Sequence, residues 1–309
     1  MTDKEIDEMY MRRCLQLAKN GRQNAKPNPM VGAVIVCDGR IIGEGYHVRC
    51  GEGHAEVNAF ASVKADDEQK LLHSTIYVSL EPCSHFGRTP PCADLIISKG
   101  VRRVVVGCID PFAAVHGRGV NRLVHAGIKV TVGVLEKECR ELNKRFISSS
   151  EKQRPYIILK WCETANGLLD DNYHPAAIST PFTKMLSHKL RAENDAILVG
   201  RITDERDHPQ LNIREWYGRD PLRLILSHDT SIKQILDKLY DNKLQSLIVE
   251  GGAKTHQSFI DAGLWDEIRI ETAPITFTGG THAPQLPTNV RLIENKSYDG
   301  NRIVTYERI

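Results

Sequence analysis

The sequence predicts an α/β protein of two domains, and three observations predict it. A hairpin pattern at residues 31–46 is followed by repeated strand–helix units, which build one sheet with helices packed on it. A polar run, Ser148-Ser-Ser-Glu-Lys-Gln-Arg-Pro155, has no apolar residue before its proline, and strand–helix patterning resumes after it. The chain has 309 residues, long for one ordinary domain and comfortable for two. The predicted division is a first domain at 1–147, a linker at 148–155 and a second domain at 156–309.

Residues 3–20 read as an opening helix: Ile6, Met9, Tyr10, Leu17 and Ala18 recur at helical spacing, Asp3 can cap the start and Gly21 can end it. Val31-Gly-Ala-Val-Ile-Val-Cys37 is a short buried strand, Asp38-Gly39 a two-residue turn, and Arg40 to Tyr46 the return strand. A helix is expected from about 55 to 65, a strand at 75–80, and a helix from about 91 that ends at Gly100. A strand at 102–107, a helix ending near Gly127 and a strand at 128–132 complete the first domain. In the second, strands are expected at 156–160, 196–200, 222–226, 247–250, 267–272 and 302–307, with helices at 231–242 and 253–262.

Hydrophobic residues make up 41% and charged residues 26%, so a packed core is expected rather than disorder. The formal charge of +2 gives no basic stripe of the kind nucleic-acid binders carry. No apolar run approaches the ~20 residues of a membrane helix, and the acidic start Met-Thr-Asp-Lys-Glu-Ile-Asp-Glu is unlike a signal peptide. A cytoplasmic protein is expected, and its eight cysteines are read as thiols and metal ligands rather than disulfides.

His54-Ala55-Glu56 opens a helix directly after Gly51-Glu-Gly53. Pro82-Cys83 follows a strand, and Cys92 starts another helix. A catalytic zinc takes three protein ligands and leaves the fourth position to water. His54, Cys83 and Cys92 supply those ligands, and Glu56, two residues from the histidine, can move protons beside the metal without ligating it. A His-x-Glu with a later Pro-Cys is the signature of hydrolytic zinc deaminases. The rival reading is a closed structural knot completed by Cys50 or by His85. A closed knot has no use for the carboxylate.

Eight residues separate the two cysteines, in Cys83-Ser-His-Phe-Gly-Arg-Thr-Pro-Pro-Cys92. With Pro27-Asn28-Pro29-Met-Val31-Gly32, His47, Asp110-Pro111 and Gly117-Arg118-Gly119, this stretch resembles the deaminase half of the bifunctional riboflavin-biosynthesis family RibD. The resemblance covers residues 5–147. It implies a cytidine-deaminase-like three-layer domain acting on a phosphoribosylamino pyrimidine formed by opening GTP. Asn28, His47, Arg88 and Thr89 are the implied contacts to ring or ribose phosphate; read without the family, they are a turn residue, a surface histidine and loop polar groups.

The second domain says less by itself. Glu250-Gly251-Gly252 sits where a strand gives way to a helix, which suits phosphate at a helix N-terminus and equally suits a tight turn. No Gly-x-Gly-x-x-Gly is present, so the usual dinucleotide fold is not indicated. Arg191, Arg201, Arg206 and Arg214 could meet phosphates or be solvated. Lys160, the run Arg191 to Gly200, Thr203, the run Asp207 to Arg214 and Glu250-Gly-Gly252 resemble the reductase half of the same family. That resemblance implies a shortened dihydrofolate-reductase-like domain that uses NADPH to reduce the ribose of the deaminated product. Thr203, Asp207 and the segment Gly252, Ala253, Lys254, Thr255, His256, Gln257 and Ser258 are the implied cofactor contacts. Lys160, Ser179, Arg191, Leu211, Arg214 and Glu250 are the implied substrate contacts. The family also associates through this half, which implies a homo-oligomer.

Two departures stand against the family pattern. Ala177-Ile178-Ser179 replaces a Trp-Ile-Thr/Ser motif, and only nineteen residues, 227 to 245, separate two strands between which the family places more. The alternatives are therefore a deaminase with a degenerate reductase domain, a deaminase of tRNA or nucleosides, or a zinc-stabilised binding module.

Overall fold

The computed structural model describes residues 1–85, 90–111 and 116–309. It divides into two compact units, Met1–Glu151 and Lys152–Ile309.

The first unit carries a five-stranded sheet in the order β2-β1-β3-β4-β5, made of β1 (Gly32–Cys37), β2 (Arg40–Tyr46), β3 (Thr75–Leu80), β4 (Arg103–Cys108) and β5 (Lys129–Val132). β1 runs antiparallel to β2 and β3, whereas β3, β4 and β5 are parallel. Side-chain alternation decides which helices cover which face. Ile35, Ile76, Val78, Val104 and Val106 pack with Ala59 and Phe60 of α2 (Ala55–Ala61), Ile96 of α3 (Cys92–Lys99) and Leu123 of α4 (Arg118–His125). Their alternates Val34, Val36, Tyr77 and Val105 pack with Met11 and Cys14 of α1 (Asp3–Ala18) and Cys139 of α5 (Glu136–Leu142). The sheet is thus the middle of three layers. Thr2, not Asp3, caps α1: its hydroxyl accepts from Glu5 N and the Glu5 carboxylate accepts from Thr2 N. The helix expected at 55–65 stops at Ala61, and a 3₁₀ segment, Ala65–His73, carries the chain to β3.

The stretch expected as a linker is helical through Lys152, as the end of α6 (Lys144–Lys152), with Ser148 and Ser149 buried. Composition alone reads these small hydroxyl side chains as solvent-facing. Beyond it, Asp266, 3% exposed in its side chain, takes two hydrogen bonds from Arg154 at 2.6 and 3.0 Å, one from Lys152 and one from Ile157 N. This fixes the entry of the chain into β6 (Tyr156–Thr164), which runs four residues past its expected end.

The second unit has a seven-stranded sheet in the order β11-β12-β10-β6-β9-β7-β8, with β7 (Ala196–Gly200), β8 (Leu222–Leu226), β9 (Ser246–Val249), β10 (Glu267–Ala273), β11 (Val290–Tyr298) and β12 (Asn301–Arg308). The five strands from β10 to β8 are parallel, and β12 is antiparallel to β10 and β11. Leu159, Leu198, Leu247 and Val249 face α9 (Ile232–Asp241) and α10 (Ala253–Asp261). Ile158, Ile197, Val199 and Ile248 pack with Leu190 of α7 (Pro181–Ala192). A short helix, α8 (Arg201–Asp207), follows β7 directly. In α9 the Ser231 hydroxyl accepts from Gln234 N at 3.2 Å while Gln234 accepts from Ser231 N at 2.9 Å. Ser231→Ala is expected to cost about 1 kcal/mol, read as a lower urea midpoint at unchanged slope.

Candidate active sites

Both sheets open their sites at the carboxyl ends of parallel strands, where loops diverge and helices begin. In the first unit β3 ends at Leu80 and delivers Cys83, α3 begins at Cys92, and His54 is the N-cap of α2. His54 Nδ1 stands 3.6 Å from Cys83 Sγ and 3.3 Å from Cys92 Sγ, and the three ligand atoms lie within 4.8 Å of one another. A tetrahedral zinc with bonds of 2.0–2.3 Å requires ligand edges of about 3.6 Å, so this donor set fits zinc. Among the described residues these three alone form such a cluster; neither Cys50 nor His85 joins it. The closed-knot reading is thus left without a fourth ligand among the described residues.

Electrostatics point the same way. The Cys83 thiol is pulled well below its ordinary value, chiefly by its hydrogen bond with Cys92 and then by His54. The Cys92 thiol is pushed up, by its bond with Cys83, by burial and by Glu56. Two adjacent thiols resist ionising together until a divalent cation draws both to thiolate. Glu56, 3% exposed, sits in the first turn of α2, and burial pushes its carboxyl up to about 7 against the pull of His54.

Asn28 and His47, two of the contacts implied by the resemblance, meet: Asn28 Nδ2 is 3.1 Å from His47 Nε2. His47 is buried, not on the surface, and its Nδ1 lies 3.1 Å from Gly53 O. A carbonyl can only accept, so Nδ1 carries the proton and Nε2 accepts from Asn28. Burial lowers the His47 pKa, which keeps the ring neutral. The ring stacks edge-on to His54 at 5.3 Å. Both ring nitrogens are thus engaged, and His47 orients the Asn28 amide. Arg88 and Thr89 lie outside the described residues.

Sequence reading missed two supports of this site. Glu81, 4% exposed, accepts from four backbone N–H groups, those of Asp110, Gly117, Gly119 and Val120 at 2.8–3.3 Å, so the segment leading to Cys83 is tied to the start of α4. Asn143 exchanges two 2.8 Å hydrogen bonds with the backbone of Met30 and so pins the Asn28 segment. Glu81 adjoins Pro82-Cys83, which is a signal; Asn143 gives none, being 113 residues from its partner.

The second unit holds a cavity of about 1220 Å³. That exceeds one small-ligand pocket and suits a dinucleotide beside a substrate. Lys160, Ser179 and Glu250 line it, with Thr203 and Asp207 from α8 and Gly252, Ala253, Lys254, Thr255 and Ser258 from the start of α10. The helix starts approach closely: Gly252 N donates to Thr203 Oγ1 at 3.0 Å, and a Cβ on Gly200 would sit 2.3 Å from Thr255 Oγ1. Glycine there lets backbone N–H groups reach an anionic ligand.

Other expected residues lie elsewhere. His256 is fully buried, with its ring nitrogens 3.1–3.2 Å from the carbonyl oxygens of Gly252, Lys160 and Val249, a core role. Gln257 bonds Asp261 and Gln285 N. Leu211 is in the core beside Leu190. Arg214 is exposed and holds Asn212. Arg191 does not line the cavity but clamps Glu250 through bonds of 3.1 and 2.7 Å, so it orients a lining carboxylate.

Comparison with known proteins follows the same division. The cytidine and deoxycytidylate deaminase zinc-binding region matches residues 4–108, and the RibD C-terminal domain matches residues 155–234 and 229–302. Riboflavin biosynthesis protein RibD of Aquifex aeolicus is 38% identical over 316 residues, covering 88% of each chain. The chain belongs to the RibD family. The Escherichia coli RibD protein is 42% identical over 238 residues, 77% of this chain and 64% of that protein. A Thermotoga maritima crystal structure, titled a diaminohydroxyphosphoribosylaminopyrimidine deaminase/5-amino-6-(5-phosphoribosylamino)uracil reductase, superposes with a TM-score of 0.89 at 32% identity over the full length of both chains. The chain is therefore a riboflavin-biosynthesis enzyme that joins a zinc-dependent deaminase, a hydrolase, to an NADPH-dependent reductase, an oxidoreductase. Its domains have the cytidine-deaminase-like and dihydrofolate-reductase-like α/β folds of that family. The two segments of the RibD C-terminal match meet at 229–234, within the short connection between β8 and β9. No helix among the described residues is long and apolar enough to cross a membrane.

Proposed function

We propose that the first domain deaminates 2,5-diamino-6-(5-phosphoribosylamino)pyrimidin-4(3H)-one and that the second reduces the ribose of the product, 5-amino-6-(5-phosphoribosylamino)uracil, to a ribityl chain. The observation that carries this is the open three-donor cluster of His54, Cys83 and Cys92 with the Glu56 carboxyl beside it, in a chain that matches over its full length a protein titled with both activities. In the first step the oxygen of water bonds to the ring carbon, the carbon–nitrogen bond breaks and ammonia leaves. Zinc held by the three ligands supplies the Lewis acidity that makes water a nucleophile near neutral pH. Glu56 takes one proton from that water and passes it to a ring nitrogen, then takes the remaining proton from the new hydroxyl and gives it to the departing amine as the carbonyl forms. Asn28, steadied by His47, contacts the ring or the ribose phosphate, and the resemblance adds Arg88 and Thr89 to the same role.

In the second domain bound NADPH supplies the reducing equivalents, and the protein supplies geometry and charge. The N-termini of α8 and α10, with Thr203, Gly252, Ala253, Lys254, Thr255 and Ser258, meet its phosphates, and Asp207 faces its hydroxyl groups. Lys160, Ser179 and Glu250 face the sugar. We place Arg191 behind Glu250, where it orients that carboxylate, and leave Leu211 and Arg214 out of the substrate contacts because neither lines the cavity. Near-neutral charge supports a free small-molecule substrate rather than nucleic acid or a membrane surface. A cytoplasmic homo-oligomer completes this reading.

A second reading, deamination alone, is favoured by Ala177 in place of an aromatic residue and by the nineteen-residue connection 227–245. Supplying the diaminopyrimidine with NADPH, and following ammonia and absorbance at the nicotinamide band separately, distinguishes the two. One NADPH oxidised per ammonia released is expected. Ammonia without NADPH oxidation selects the second reading, and deamination of tRNA in place of the nucleotide overturns both.

A further inference from the structure

Glu271 of β10 is 2% exposed and stands behind the cavity wall rather than on it. Four side chains from three parts of the fold converge on it. Thr183 Oγ1 and Asn301 Nδ2 each donate to Oε1 at 2.6 Å. Ser179 Oγ and Cys162 Sγ donate to Oε2 at 2.9 and 3.2 Å. Both carboxylate oxygens are therefore fully used, yet among the described residues no Lys or Arg forms a salt bridge with Glu271. A buried carboxylate without a paired cation is costly.

The compensating cation is one side chain away. Lys160 Nζ, also buried and without a salt bridge among the described residues, donates to Cys162 Sγ at 3.2 Å. The Cys162 thiol thus bridges an ammonium and a carboxylate. Lys160, Cys162 and Ser179 all line the cavity. The segment bearing Ser179 is held a second time, by Asn301 Nδ2 donating to Ile178 O at 3.0 Å. The charged groups facing Lys160 are Glu250 at the end of β9, Glu271 on β10 and, opposing them, Arg191 on α7. Burial opposes the Lys160 ammonium, but Cys162, Glu250 and Glu271 together hold its pKa above the ordinary value. Burial pushes the Cys162 thiol up; Lys160 pulls it down and Glu271 adds to the rise.

We propose that Glu271 is a positioning residue of the reductase site, which fixes Ser179 and Cys162 on the cavity wall and, together with Glu250, supplies buried negative charge that keeps the Lys160 ammonium aimed at the substrate. This rests on the reading of the cavity given above, and the test separates the two. In Glu271→Gln the charge is removed and the shape kept. Alkylation of Cys162 by iodoacetamide, followed on its own peptide by mass spectrometry, is expected to quicken roughly tenfold at fixed pH, because the thiol becomes more acidic. The basic limb of reductase kcat, where Lys160 loses its proton, is expected to move to lower pH, with NADPH affinity by fluorescence and ammonia release unchanged. In Glu271→Asp the charge stays but the reach to Ser179 and Cys162 is lost, so kcat falls while the pH limb holds. Alkylation and pH profiles of folded Glu271→Gln that overlay the wild type overturn the proposal, as does unchanged kcat in Glu271→Asp should the glutamine variant fail to fold. If the wild type oxidises no NADPH while alkylation still shifts, the reading of the cavity fails and the coupling stands.

Discussion

Glu56→Gln is expected to retain zinc and to lose ammonia release by about 10²–10⁴-fold, the range for a positioned general acid–base group. The amide has nearly the same shape, so the fold of α2 and the three ligands are untouched. What goes is the capacity to hold and release a proton in a buried place beside the metal ligands, where burial already pushes the carboxyl up to about 7. Because Glu56 is not in the ligand cluster, metal content should stay at one zinc per chain. The reductase reaction, supplied with deaminated substrate, should run at the wild-type rate. The measurement is ammonia release alongside metal analysis. Full activity, or loss of zinc in step with activity, counts against Glu56 as the proton carrier.

Removing zinc is expected to abolish deamination while sparing reduction. All three donors belong to the first unit, whereas every residue lining the cavity belongs to the second. Chelated protein should release no ammonia yet still oxidise NADPH when given the deaminated substrate, and added zinc should restore the first rate. Circular dichroism must show the chelated protein still folded, since Cys83 and Cys92 come from loop and helix ends that the metal ties together. Parallel loss of both rates in folded protein would contradict two separate sites.

The sequence made one half of the molecule far more legible than the other, for a physical reason. The zinc donors come from short local motifs placed at strand and helix ends, and the periodicity of 31–132 reveals those ends. The hairpin turn at Asp38-Gly39 and β3 fall where patterning puts them. By contrast β11, Val290–Tyr298, is mostly solvent-facing and exists because β12 pairs with it, so no apolar alternation marks it. Helix α7 carried a readable signal, Thr180 before Pro181 with Thr183 closing the capping box, though its apolar face is narrow. The reductase wall was the least legible part. Glu271 meets Thr183, Ser179 and Cys162 across 88, 92 and 109 residues, a convergence that only the parallel sheet creates. The same long range explains why Arg191 and His256, matched by motif, turn out to support the cavity rather than line it.

X-ray absorption at the zinc edge of the purified enzyme tests the central claim most directly. The predicted spectrum has two sulfur neighbours at about 2.3 Å and two nitrogen or oxygen neighbours at about 2.0–2.1 Å, one of them exchangeable with a pyrimidine inhibitor. Three or more sulfur neighbours, or a shell indifferent to any ligand, would mean a closed structural site and would contradict it.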